Sequence, residues 1–154
     1  MKLRAKIDKL LGKTLVLIMA IMVINVLWQV FSRYLVGVPS SFTDELARFL
    51  MIWVGILGAA YVSGQNMHVA IDLIPSKCSP PTKLLLSKIV GVLIILFAFA
   101  GLIIGGIRLV YITFLLDQYS PALQLPLAAV YLVIPLSGVL IIYYKTSDLL
   151  NKTA

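Results

Sequence analysis

The concentrated polar side chains of this sequence lie in two short runs, on either side of a glycine- and proline-containing break near residue 38. Acidic and basic groups placed this close together can form helix caps, ion pairs or an acid–base site at a membrane face. Tryptophans beside such runs are typical of helices that end at a membrane surface. The candidate site residues are Trp28, Gln29, Arg33, Asp44, Glu45, Arg48 and Trp53.

The second run has the pattern of a helix start. Thr43 can cap this helix, and Asp44 and Glu45 then fall in its first turn, where carboxylates meet the positive end of the helix dipole. Arg48 follows Asp44 by four residues and Glu45 by three, so either acid can pair with it. Capping and charges that reach the membrane surface also account for Arg33, at the end of the preceding span.

Arg48 is not explained by capping alone. It lies one turn inside an apolar helix, and a charge at that depth calls for a partner in the same protein or a neighbouring one. Glu45 and Arg33 are the candidate partners, and we expect Glu45 and Arg48 to form or bracket a partly buried ion pair. An acid–base site built from the same charges is less favoured, because capping and pairing already explain the spacing.

Two further patterns concern helix packing. Trp28 lies near a span end, as an interface anchor would, whereas Trp53 lies deeper and is expected to pack between helices. Small residues four apart allow two helices to approach closely. The pairs with this spacing are Gly55 with Ala59 and Gly101 with Gly105.

His68 and Asp72 form a separate polar pair, four residues apart in a loop. We interpret them as a polar loop pair near the membrane surface, with a pH switch as the alternative because histidine titrates near neutrality. His68 is the single histidine, and the sequence has no CxxC motif, phosphate loop or metal-spaced cluster. We therefore expect that this chain holds no cofactor and no metal, and that it is not an enzyme.

The composition decides which elements must position these residues. Of the 154 residues, 61% are hydrophobic and 12% are charged, too few charges to cover a soluble domain. Four apolar stretches reach the length of about 20 residues that a membrane span needs. We predict an all-α integral membrane protein, residues 1–154 forming a single membrane domain. Its parts are an amphipathic cytoplasmic helix at 1–13 and spans at 14–36, 45–63, 84–110 (extending to 116 if the apolar run counts) and 123–144.

The basic residues predict the orientation of the four spans. The formal net charge is +7, and most of the lysines lie before the first span, in the second loop or after the fourth span. The positive-inside rule then places both termini in the cytoplasm. Because the charges lie at span ends, we do not expect nucleic acid as a partner.

The ordered set of polar and small residues resembles the small permease subunit of tripartite ATP-independent periplasmic (TRAP) transporters, the DctQ-like family. The resemblance covers nearly the whole chain, and Phe42 stands where tryptophan is expected in many members. The matching pieces are Trp28 to Tyr34, Glu45-Leu46-Ala47-Arg48, Trp53, Gly58-Ala59-Ala60, His68-Val69, Asp72, Ser120-Pro121-Ala122-Leu123, Pro126, Tyr131 and Pro135.

This resemblance implies a function that composition does not. Such a subunit lies in the bacterial inner membrane and partners a large TRAP membrane subunit that carries substrate and sodium, with membrane lipids at the interface. A periplasmic substrate-binding protein delivers an organic acid to the pair. Within the family the sequence is most similar to the small subunits of sialic-acid systems. The resemblance implies a scaffold role for this chain, with sodium bound by the partner.

Two other classes of protein compete with this interpretation. A self-contained four-span exporter acting as a dimer would need a carboxylate within the membrane, and no acid lies at the centre of any predicted span. A small membrane enzyme or assembly factor would need a nucleophile–base set or a metal cluster at one face. The scaffold role fits a chain that lacks both.

Overall fold

The computed structural model describes residues 2–37, 40–65 and 80–151, and all that follows concerns these residues. Four of its helical stretches are long and apolar enough to cross a membrane, which confirms the predicted all-α membrane fold. We number them as spans one to four. Their elements are α1 (Lys2–Phe31) with a π-helical end (Ser32–Val36); α2 (Ser41–Gly64); α3 (Pro80–Phe97), a π-helical stretch (Ala98–Gly105) and α4 (Gly106–Leu115); and α5 (Leu127–Tyr131) with α6 (Val133–Asn151).

Helix α1 has 30 residues and rises about 45 Å, more than the roughly 30 Å thickness of the hydrocarbon core. The predicted amphipathic stretch at 1–13 forms, from Lys2 onward, the first turns of this helix and continues into the first span without a break. The third span likewise continues through Arg108 to Leu115. The fourth begins at Leu127, four residues after the predicted start.

The spans pack side by side in the order one, two, four, three. Leu57 of the second span and Val133 and Tyr144 of the fourth belong to one buried cluster, which Leu11 of the first span joins. A smaller cluster brings Ala60 against the third and fourth spans. We call the end of the bundle that holds Gly37, Ser40 and residues 116–126 the connector end. The opposite end, where α1 begins and α6 finishes, is the terminal end.

Glycines set the closest helix approaches, but not the glycines that the spacing indicated. The Gly55/Ala59 and Gly101/Gly105 pairs are exposed and make no close contact with another described span, so close approach at these pairs stays a prediction for a partner helix. A Cβ at Gly106 would instead lie 2.9 Å from Pro135 Cδ, and one at Gly138 would lie 2.9 Å from Leu102 Cβ. A third close approach is at Gly64, against the Tyr144 ring. Spacing along one helix does not reveal which face meets a neighbour.

Candidate functional site

Two hydrogen bonds join the first two spans at the connector end. The amide of Asn25, which is buried, donates from Nδ2 to the carbonyl oxygen of Thr43 over 2.7 Å. One turn further along, Gln29 Nε2 donates to Asp44 Oδ1 over 3.2 Å. A buried amide needs a partner, so these contacts fix how the two spans align. The structure thus brings together Gln29 and Asp44, two of the site residues predicted from the sequence.

The sequence predicted Thr43 as the cap of the second span, but the structure has Ser40 in that position. Helix α2 begins at Ser41, and Ser40 Oγ accepts a hydrogen bond from Thr43 N over 3.4 Å. Thr43 Oγ1 donates back to the Ser40 carbonyl oxygen over 2.9 Å. The prediction was wrong because two further hydroxyl residues, Ser40 and Ser41, precede Thr43, and the helix already begins at Ser41. Asp44 remains in the first turn, where the helix dipole favours a carboxylate.

Arg48 pairs with Asp44, so the expected Glu45–Arg48 pair was wrong. Its Nη2 lies 2.6 Å from Asp44 Oδ2, and the two side chains are 72% and 48% exposed. Both acids are within helical reach of Arg48. Glu45 does not pair with it because its carboxylate is bonded to a different part of the chain.

Glu45 holds the third connector. Its Oε2 accepts hydrogen bonds from the backbone N–H groups of Ala122, at 2.8 Å, and Leu123, at 2.9 Å. The connector also closes on itself, because Ser120 N donates to the Leu125 carbonyl oxygen over 2.9 Å. Two successive N–H groups that point at one carboxylate oxygen form an anion-binding concavity. Glu45 therefore ties the start of the second span to the segment before the fourth.

The remaining connector-end candidates occupy different surroundings. Trp53 is part-buried, and its Nε1 donates to the Val130 carbonyl oxygen over 3.1 Å, close to the break between α5 and α6. Trp28 is 57% exposed and stacks on Phe31, with 5.8 Å between ring centroids. Arg33 is exposed and has no hydrogen bond or ion pair to the described residues. It lines an open groove whose other residues are Gln29, Ser40, Ser41 and Asp44.

A second polar cluster lies at the terminal end, where the sequence predicts a basic amphipathic helix. Arg4 Nη1 lies 2.6 Å from Asp148 Oδ1, and Arg4 Nη2 donates to the carbonyl oxygen of Gly64. The hydroxyl of Tyr144 donates to Asp8 Oδ1 over 2.5 Å. The guanidinium carbon of Arg4 lies 5.5 Å from the centroid of the Tyr144 ring. The cluster therefore joins the first, second and fourth spans.

One signal in the sequence pointed to this cluster. Asp8 interrupts a run of basic residues, and an acid in such a run suggests a local role. Its partner Tyr144 is 136 positions away, and Arg4 and Asp148 are 144 positions apart, so helical spacing could not pair them. Among the described residues no three His, Cys, Asp or Glu side chains are grouped to hold a metal ion. His68 and Asp72 lie outside the described residues.

Both clusters fasten helices to one another or to a connector, and such contacts suit a scaffold. The chain matches a protein family over residues 22–154, which covers most of its length. That family is the DctQ component of tripartite ATP-independent periplasmic transporters. This chain belongs to it. The chain is thus a small permease subunit of a TRAP transporter and a multi-pass membrane protein, not an enzyme.

Three relatives illustrate the range of this TRAP family. A Haemophilus influenzae protein provisionally assigned as a TRAP transporter small permease protein is 29% identical over 88% of this chain and 82% of its own. The C4-dicarboxylate TRAP transporter small permease protein DctQ of Rhodobacter capsulatus is 31% identical over 70% of this chain and 47% of its own. The sialic acid TRAP transporter permease protein SiaT of H. influenzae is 33% identical over 66% of this chain and 17% of its own.

Proposed function

We propose that this small permease subunit is the scaffold of a sodium-driven TRAP importer of an organic acid, and that a large membrane subunit carries substrate and sodium. The observation that supports a scaffold is the close packing between the third and fourth spans. Any Cβ at Gly106 or Gly138 would lie within 3 Å of a neighbouring span. Packing this tight leaves the interior filled by side chains and suits a fixed frame.

The relatives support a large membrane partner. The stretch similar to this chain is only 17% of the SiaT permease protein, so in that relative a much longer chain accompanies it. On the second span Gly55 and Ala59 are exposed, together with Met51 and Val62, which lie on the same helical stripe. Small residues on an open face allow another helix to approach closely. We propose that the first two spans supply much of the surface that meets the large subunit.

The connector end is the proposed docking side for a periplasmic substrate-binding protein. Glu45 holds the third connector in one conformation, and that connector presents Tyr119 and Leu125 as exposed side chains. A preformed loop costs less entropy on binding than a mobile one. In this arrangement the terminal end faces the cytoplasm, consistent with the lysine-rich flank of the first span. The membrane is then the bacterial inner membrane.

The substrate class follows the relatives, whose names include a C4-dicarboxylate and a sialic acid transporter. Both substrates are organic acids, and we propose that this transporter imports an organic acid, with sialic acid as the first candidate to assay.

Uptake into liposomes tests the division of labour between the subunits. Reconstituted with its large subunit, binding protein and an inward sodium gradient, the chain is expected to support uptake of a radiolabelled organic acid. Reconstituted alone, it is expected to give no uptake above empty liposomes. Sodium-driven uptake by this chain alone would contradict the scaffold proposal and favour a self-contained carrier.

A further inference from the structure

A groove at the terminal end has the chemistry of a lipid site. It lies along the first span, with Tyr61 of the second span at its side, and is about 580 Å³ in volume. Asp8 is the lining residue that it shares with the polar cluster at the terminal end. The groove is charged at one end and apolar at the other. The lining residues are Asp8, Lys9, Gly12, Lys13, Val16, Leu17, Ala20 and Tyr61.

The charged end offers two cations to a ligand. Lys9 and Lys13 are four residues apart on one helix, so their side chains share a face. Both are exposed, and neither forms an ion pair with any described residue. Asp8 is the acid among the lining residues, and its carboxylate already accepts the Tyr144 hydroxyl. The groove therefore presents a net positive charge.

Tyr61 and Gly12 line the middle of the groove, between its charged end and its apolar end. A Cβ at Gly12 would lie 3.7 Å from the Tyr61 hydroxyl, so the glycine leaves the phenol close to the surface of α1. The Tyr61 hydroxyl has no hydrogen bond to the described residues. It is a donor at the depth where the lysines give way to apolar side chains. A phosphodiester oxygen is an acceptor that suits this position.

The apolar end continues along the same helical stripe. Val16, Leu17 and Ala20 follow Lys13 by three, four and seven residues and are all partly or fully exposed. Ala20 is the smallest of these side chains and leaves a trough beside its larger neighbours. An acyl chain is the ligand that matches an open apolar trough inside the hydrocarbon layer.

We propose that this groove binds one anionic phospholipid, with its phosphate between Lys9 and Lys13 and an acyl chain along Val16 to Ala20. An anionic headgroup is favoured over a zwitterionic one because the groove is net positive and a zwitterionic headgroup would bring its own cation to the two lysines. The site is separate from the transport role and stands whichever organic acid the transporter imports.

Native mass spectrometry of the full chain, in the form in which it purifies from its own membrane, tests the site. After delipidation the protein is titrated with dioleoylphosphatidylglycerol and, separately, with dioleoylphosphatidylcholine. The expected result is one phosphatidylglycerol bound preferentially. Lys13→Gln should lower its affinity about fivefold, the effect of one lysine at an anionic surface. Lys88→Gln, which removes a lysine elsewhere at the terminal end, should change the affinity by less than about twofold on the same scale.

A second variant tests the apolar half without changing charge. Ala20→Trp fills the trough and should lower phosphatidylglycerol binding, whereas Ala100→Trp, on an exposed position of the third span, should not. Glycerol 3-phosphate should not compete, because it lacks the acyl chain. Equal binding of the two lipids, or no effect of Lys13→Gln and Ala20→Trp, would overturn the proposal. Competition by glycerol 3-phosphate would overturn it too. So would a Lys13→Gln or Ala20→Trp variant that loses a co-purifying protein but still binds the lipid.

Discussion

Glu45, near the start of the second span, accepts a hydrogen bond over 2.8 Å from the backbone N–H of Ala122, which lies 77 residues further along the chain. A second bond from Leu123 N to the same carboxylate oxygen makes this a two-point attachment. A side chain that satisfies two backbone donors orders the loop that carries them. The third connector therefore depends on a residue in another part of the sequence.

Replacing Glu45 by glutamine should loosen this connector. The amide oxygen still accepts hydrogen bonds, but the charge that strengthens both is lost, at a cost of about 1–2 kcal/mol. Hydrogen exchange followed by mass spectrometry should show faster exchange of the Ala122 and Leu123 amides. Asp117→Asn is the matched control, since it removes a carboxylate from the same connector that holds no hydrogen bond among the described residues. Equal exchange rates in the two variants would refute this role of Glu45.

Arg48→Met should leave the stability of the protein close to wild type. The Arg48–Asp44 pair is 72% and 48% exposed, and an exposed helical pair contributes about 0.3–0.5 kcal/mol. Thermal unfolding in detergent measures the effect. A loss as large as that caused by Glu45→Gln would contradict the exposed position of this pair.

Arg4→Met should destabilise the terminal end strongly. The side chains of Arg4 and Asp148 are 24% and 11% exposed, so the variant leaves a nearly buried carboxylate whose remaining ion pair is the longer one to Lys145 Nζ, at 4.0 Å, and it frees the Gly64 carbonyl oxygen. Loss of one member of a buried pair costs about 3–5 kcal/mol when the other charge is left unpaired, and the partial exposure of Arg4 and the remaining Lys145 place the expected cost at or below the lower end. Thermal unfolding provides the measurement.

The control for Arg4 is a basic residue of the same helix. Lys6 is exposed and has no ion pair to the described residues, so Lys6→Met removes the same charge without breaking a contact. We expect almost no loss of stability for Lys6→Met. Similar losses in the two variants would show that the charge of the flank matters and the Arg4–Asp148 contact does not.

A methyl group at Gly138 should destabilise the bundle, whereas one at Gly55 should not. The added Cβ lies 2.9 Å from both Leu102 Cβ and Ile103 Cγ1, and overpacking of this kind costs about 1–3 kcal/mol. At Gly55 nothing lies within 4 Å, and alanine favours the helix. Thermal unfolding of Gly138→Ala and Gly55→Ala compares them. Reversal of their order would contradict the packing of the third span on the fourth.

The sequence was sufficient for the helices and insufficient for the contacts between them. Long apolar runs identify spans because every backbone group in lipid must be satisfied within the span. The Arg48–Asp44 pair was among the pairs that helical spacing allowed. The partners of Glu45 and Arg4 were not, because they lie 77 and 144 residues away and depend on the order in which the spans pack.

The packing glycines show the same limit. Gly55 and Gly106 are both glycines within apolar helices, yet of these two Gly106 alone faces a neighbouring described span. Trp53 was expected between helices from its depth alone, but its acceptor, the carbonyl oxygen of Val130, could be assigned only once the fourth span was placed. Local periodicity gives the depth of a residue in the membrane and does not give its neighbour.

Purification from native membranes in mild detergent is the most direct test of the central claim, that this chain is a scaffold which works with a large TRAP subunit. We expect an affinity-tagged chain to co-purify with one much larger multi-span membrane protein, and the two to remain together on size exclusion. A homodimer of this chain alone, with no larger membrane protein retained, would contradict it.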